Sequence, residues 1–85
     1  MLLGTFLPLV VHAQTAALQA VHVEGLKYLT EDQVIYLSGL KTGAQVGRSE
    51  MQEAADALVR TGLFSKVTFK YDTKLDKVEL TFHAE

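Results

Sequence analysis

Three stretches of the chain alternate apolar and polar residues. From Gln19 to Glu24, Val21 and Val23 fall on one side while Ala20, His22 and Glu24 fall on the other. This period of two predicts a half-buried strand, and Gly25 supplies a residue free to turn the chain sharply at its end. Lys66 to Tyr71 alternates in the same way, with Val67, Phe69 and Tyr71 inward and Lys66, Thr68 and Lys70 outward. Lys77 to Ala84 repeats the pattern with Val78, Leu80 and Phe82 inward. The polar connection Asp72 to Asp76 is short, so the last two strands should form an antiparallel hairpin.

Between the first and second of these strands the period changes to that of a helix. Thr30 and Gln33 have the spacing of a capping box, and Glu31 and Asp32 sit where the helix dipole favours negative charge. Val34, Leu37 and Ser38 share one face, with Ile35 beside it, and Gly39 is placed to end the helix in a left-handed conformation. Leu40 to Arg48 reads as a loop containing Gly43 and Gly47. Ser49 is expected to cap a second helix, with Gln52 completing the capping box. Met51, Ala54, Ala55, Leu58 and Val59 form its apolar stripe, Asp56 and Arg60 lie on the outer face, and Gly62 ends it.

The order is therefore strand, helix, helix, strand, strand, a two-layer α+β domain with helices on one sheet face and water on the other. The expected core is Val21, Val23, Val34, Leu37, Met51, Ala55, Leu58, Leu63, Phe64, Val67, Phe69, Val78, Leu80 and Phe82. Phe64 follows the helix-ending Gly62 and can fold back under the helix end, so it is expected to be structural. Replacing a fully buried ring there by Ala should cost about 3–5 kcal/mol.

The start of the chain has a different character. Met1 to Val11 is nearly all apolar but far shorter than the ~20 residues a spanning helix needs. It has the length of a signal-peptide apolar core, and Val11-His12-Ala13 offers small residues for cleavage before Gln14. No Lys or Arg precedes the run, so a complete signal would need an upstream start; a buried N-terminal strand or helix is the alternative. Residues 1–13 are thus expected to be signal-like, 14–17 a short linker and 18–85 the folded domain. The 85-residue chain is enough for one domain, its net charge of −2 gives no basic excess for nucleic acid, and it has no cysteine for disulfides or thiolate metal sites.

Candidate chemistry is sparse. His22 and His83 both face outward on strands that could be neighbours, with Glu24 and Glu79 nearby. A metal site needs three or four convergent ligands, so solvated histidines are the expected reading and no metal or cofactor is assigned. Ser49 is explained as a helix cap and not a nucleophile. Glu31, Asp32, Glu50 and Glu53 belong to helix first turns or exposed faces. No catalytic residue is assigned, and the chain is not expected to be an enzyme.

Val21-His22-Val23-Glu24-Gly25, Leu40-Lys41-Thr42-Gly43 and Leu58-Val59-Arg60-Thr61-Gly62-Leu63-Phe64-Ser65-Lys66-Val67 together resemble the POTRA (polypeptide-transport-associated) family. The resemblance covers Leu18 to Glu85 and is similar to the N-terminal repeat of outer-membrane barrel-assembly proteins. It implies a βααββ fold with a three-stranded mixed sheet and two helices on one face. It further implies a periplasmic, outer-membrane-associated, protein-binding module that assists β-barrel assembly or polypeptide translocation. Partners would be unfolded outer-membrane proteins or accessory periplasmic proteins, with a β-barrel or further repeats alongside. In the family the first hairpin strand lies at the sheet edge, here Lys66, Val67, Thr68, Phe69, Lys70 and Tyr71, where an extended client could add a strand. A proline at Thr68 is expected to abolish such binding. The alternative is a docking module for accessory proteins or neighbouring repeats in a secretion or cell-division complex.

Overall fold

The computed structural model describes residues 15–85; the signal-like segment 1–13 and Gln14 lie outside the described residues. Strand β1 spans Ala16–Glu24, helix α1 Glu31–Ser38, strand β2 Gln45–Val46, helix α2 Arg48–Arg60, strand β3 Val67–Lys74 and strand β4 Lys77–Ala84. The sheet order is β2-β1-β4-β3, with β1 and β4 parallel and the other two pairs antiparallel.

The sheet therefore has four strands and not the expected three. The additional strand is two residues long, too short to show any periodicity. It pairs Val46 with Ala16 and Gln45 with Ala17, and Val46 enters the core. β1 also begins at Ala16, so Ala16 and Ala17 of the expected linker are strand residues. A bulge hid this extension. Leu18 pairs with Val78 and Ala20 with Glu79, leaving Gln19 without a partner. The inward residues are thus Ala16, Leu18, Val21 and Val23, and the alternation slips by one residue at Gln19.

Local sequence explains the helix ends. The Gln33 N–H donates to the Thr30 hydroxyl at 3.2 Å and the Thr30 N–H donates to the Gln33 side-chain carbonyl at 2.9 Å, the reciprocal capping box. Gly39 ends α1 with φ 78°. α2 starts two residues earlier than expected, with Gly47 and not Ser49 at its cap. The Gly47 N–H donates to the Glu50 carboxylate at 2.6 Å, so Glu50 satisfies the entry of the helix. On the outer face, Asp56 accepts from the Gln52 side chain at 3.0 Å.

The core lies between the helices and one sheet face. Phe82, Leu18, Leu58, Leu80, Val34 and Val78 are its largest fully buried side chains. β4 is central and contributes Val78, Leu80, Phe82 and Ala84. Two expected core residues lie at the surface, Leu37 at 37% exposure and Leu63 at 56%. Phe64, Val67 and Phe69 pack against the core while only half-buried. The stability expected from a fully buried Phe64 ring is accordingly an upper bound.

Two backbone positions fix how the strands end. Gly25 has φ 88°, and a Cβ built there would overlap the Ala84 carbonyl oxygen, so the turn after β1 packs directly on the end of β4. The β3–β4 connection is only Leu75-Asp76, with φ 49° and 63°. Two successive positive φ values make the tight hairpin turn whose twist matches the strands, and they extend β3 to Lys74, three residues past the expected end.

Candidate protein-binding edge

β3 pairs with β4 along its whole length, from Val67 opposite Ala84 to Lys74 opposite Lys77, and no strand lies on its other side among the described residues. All six residues of the expected edge segment are brought to this border. Val67 to Tyr71 lie in β3, and Lys66 continues the ladder just before it. Asp72, Thr73 and Lys74 belong to the same edge and were missed because the polar Asp72 and Lys74 resemble a loop. The alternation of Phe69, Tyr71 and Thr73 is the signal that continues through them.

The direction of the backbone groups follows from one hydrogen-bonded pair. The Glu85 N–H donates to the Lys66 carbonyl at 2.9 Å, and the Lys66 N–H donates to the Glu85 carbonyl at 3.4 Å. In an antiparallel ladder such doubly bonded pairs recur at every second residue, and the register is regular from there to Lys74. Thr68, Lys70, Asp72 and Lys74 therefore turn their N–H and C=O groups toward β4. Val67, Phe69, Tyr71 and Thr73 turn theirs to the free side. The earlier expectation for a proline at Thr68 is corrected by this geometry: Thr68 donates within the hairpin, and the edge-facing donors are its neighbours.

Side chains on the edge form two rows. Val67, Phe69, Tyr71 and Thr73 share the helix side, where the Phe69 and Tyr71 rings stack with centroids 6.3 Å apart and planes at 22°. Tyr71 is 40% exposed, and with Thr73, Val46, Met51 and Val78 it lines a groove beside the start of α2. Thr68, Lys70, Asp72 and Lys74 form the solvent row and are exposed.

The two histidines of the open sheet face separate into two pairs. His22 Nε2 lies 3.6 Å from Glu79 and His83 Nδ1 lies 3.8 Å from Glu24, all about half exposed. Among the described residues no three His, Asp or Glu side chains converge as a metal site.

A second surface sits at the end of the sheet away from the Leu75-Asp76 turn, beside the start of β3. Leu26, Tyr28 and Leu29, which follow Gly25, face Leu63 and Phe64 beyond α2 across an apolar groove of about 600 Å³ that reaches Ala84 and Glu85. Tyr28 is 95% exposed. The Thr61-Gly62 turn builds one wall: the Leu63 N–H donates to the Thr61 hydroxyl at 3.2 Å and Gly62 has φ 80°. Sequence reasoning missed this groove because it assigned Leu63 and Phe64 to the core.

The fold has solved counterparts. It is similar to POTRA1-3 of the periplasmic domain of Omp85 from Anabaena, with a TM-score of 0.72 and 25% identity, over 86% of this chain and 30% of that one. It is similar to the N-terminal domain of Omp85 from Thermosynechococcus elongatus, with a TM-score of 0.71 and 24% identity, over 85% of this chain and 31% of that one. The Haemophilus influenzae BamA POTRA3-5 structure shares the fold at a TM-score of 0.69 and 17% identity, over 81% of this chain and 28% of that one. The chain thus spans less than a third of each of these structures. No curated protein matches it. The family model described as "Surface antigen variable number repeat" matches residues 16–85, nearly all of the chain, and the chain belongs to the POTRA family.

Proposed function

We propose that this POTRA domain is a periplasmic protein-binding module that assists outer-membrane β-barrel assembly or polypeptide translocation by adding an extended client segment to the free edge of β3. The observation that carries the reading is an eight-residue strand bonded on one side only among the described residues. Its edge-facing N–H and C=O groups can continue the ladder into a second chain, and main-chain bonding of this kind tolerates many client sequences. Among the described residues no three His, Asp or Glu side chains converge as a competing site, and binding is the proposed activity.

The test uses two prolines. Tyr71→Pro removes an edge-facing N–H, which edge strands tolerate, and should abolish binding of extended peptides taken from outer-membrane strands while the domain stays folded. Tyr71→Ala controls for the lost ring and should retain most of the binding. Undiminished binding by folded Tyr71→Pro contradicts the proposal.

A second reading rests on the Leu26–Tyr28–Leu63 groove. A repeat joined to the end of β4 would begin beside it, because Glu85 forms part of its rim. Exposed Tyr is the kind of residue that anchors interfaces. In this reading the groove seats a neighbouring POTRA repeat, and Tyr28→Ala should weaken that inter-repeat contact without changing client binding at β3.

A further inference from the structure

The solvent row of β3 carries a charge pattern that its own partner strand does not complement. Lys74 lies directly opposite Lys77, and Asp72 directly opposite Glu79. Like charges directly opposite each other across two strands are destabilising. Lys70 faces Thr81, which offers no charge. Across the β3–β4 face the rows therefore run positive, negative, positive from the hairpin turn inward. His22 lies beside Glu79 from the β1 side, but the β3 side of every row is open.

We infer that β3 reads charge as well as backbone: it selects client strands that run antiparallel to it, with acidic residues opposite Lys74 and Lys70, a basic or neutral residue opposite Asp72, and apolar residues opposite Thr73, Tyr71 and Phe69. This deepens the strand-addition reading and rests on it. The antiparallel direction is the more stable pairing per residue. Edge-facing Phe69, Tyr71 and Thr73 would form the hydrogen-bonded pairs with an antiparallel client. Lys70, Asp72 and Lys74 would then fall in the non-hydrogen-bonded pairs, where opposing Cα atoms are only about 4.5 Å apart and side chains meet most closely. The alternate client residues would extend the helix-side layer beside the stacked Phe69 and Tyr71 rings. The partner class is an amphipathic segment reading acidic, apolar, basic, apolar, acidic, apolar. Its period of two is that of an outer-membrane strand, which alternates apolar and polar faces.

The test compares three peptides of this pattern binding to the full chain at low salt. One carries Glu opposite Lys74 and Lys70, one carries Lys at both of those positions, and one has the Glu peptide's composition with the alternation scrambled. The Glu peptide should bind about tenfold more tightly than the Lys peptide, given two- to five-fold per cross-strand charge pair, and the gap should shrink as salt is raised. Lys70→Glu should invert the preference at that position, so that a peptide with Lys there binds better. Binding of the Glu and Lys peptides within twofold, with Tyr71→Pro still abolishing both, overturns charge reading and leaves strand addition standing. Binding of neither peptide overturns both. Equal binding of the scrambled peptide overturns the paired register on which the inference depends.

Discussion

The two borders of the sheet are built in opposite ways. On the β1 side several backbone groups are bonded within the chain. β2 covers Ala16 and Ala17, the Leu18 N–H donates to the Ala44 carbonyl at 2.8 Å, and the Gly43 N–H donates to the Leu18 carbonyl at 2.7 Å. Further along, where β2 has ended, the Val23 N–H donates to the Glu31 carboxylate at 2.9 Å. A side chain at the start of α1 thus caps a strand edge. On the β3 side the groups of Val67, Phe69, Tyr71 and Thr73 meet no strand among the described residues. Free edges invite pairing with other chains, and proteins commonly cover or charge them. Among the described residues this domain covers part of one edge and leaves the other charged and open, which is why the proposal places an added strand at β3.

The largest expected effect removes both edges together. Gly25→Ala forces a side chain into the Ala84 carbonyl at a positive φ, with a loss of roughly 2–5 kcal/mol from overpacking and backbone strain. For so small a domain that is enough to unfold it, and the far-UV dichroism at room temperature should show a largely unfolded chain.

Next comes the parity of β3 itself. Thr68→Pro should lose about 1–3 kcal/mol because it leaves the His83 carbonyl unpaired inside the hairpin, whereas Tyr71→Pro should lose less than about 1 kcal/mol because its N–H has no partner among the described residues. Urea melts of the two variants check the order, and equal losses would mean that the parity is reversed.

The closed edge can be opened by a smaller change. Glu31→Ala removes the acceptor for the Val23 N–H and should lose about 1–2 kcal/mol. Amide exchange at Val23 should accelerate while exchange at β4 follows only the global loss. Protection retained at Val23 would show that the carboxylate does not close this border.

At the hairpin tip, Leu75 holds φ 49° with its side chain 93% exposed. Asn tolerates that conformation better than Leu and suits this turn type. Leu75→Asn should therefore raise stability by about 0.5–1 kcal/mol, visible as a higher melting temperature with client binding unchanged.

Much of this was legible in the sequence, and the remainder was hidden for specific reasons. The alternation of Val78, Leu80 and Phe82 located the central strand, and the stripe Met51, Ala54, Ala55 and Leu58 located α2, because burial of one face imposes a period. Ala16 and Leu18 were lost because the bulge at Gln19 breaks that period. β2 has no period to read in two residues. The cap of α2 was misplaced because Ser49 and Gln52 satisfy the capping spacing, while Glu50 reaches back to Gly47 instead. The edge segment was found through family resemblance, but which of its residues face outward depends on register. Register is set by the Leu75-Asp76 turn and the Lys66–Glu85 pair, neither of which alternation reveals.

Residue-resolved amide exchange separates client addition at the free side of β3 from docking at the Tyr28–Leu63 groove. In the free domain the amides of Thr68, Lys70, Asp72 and Lys74 should exchange slowly, and those of Val67, Phe69, Tyr71 and Thr73 quickly. Saturating client peptide should slow exchange at that second set and leave the Tyr28–Leu63 groove unchanged. Fast exchange persisting at Phe69, Tyr71 and Thr73 while groove amides become protected would contradict the account.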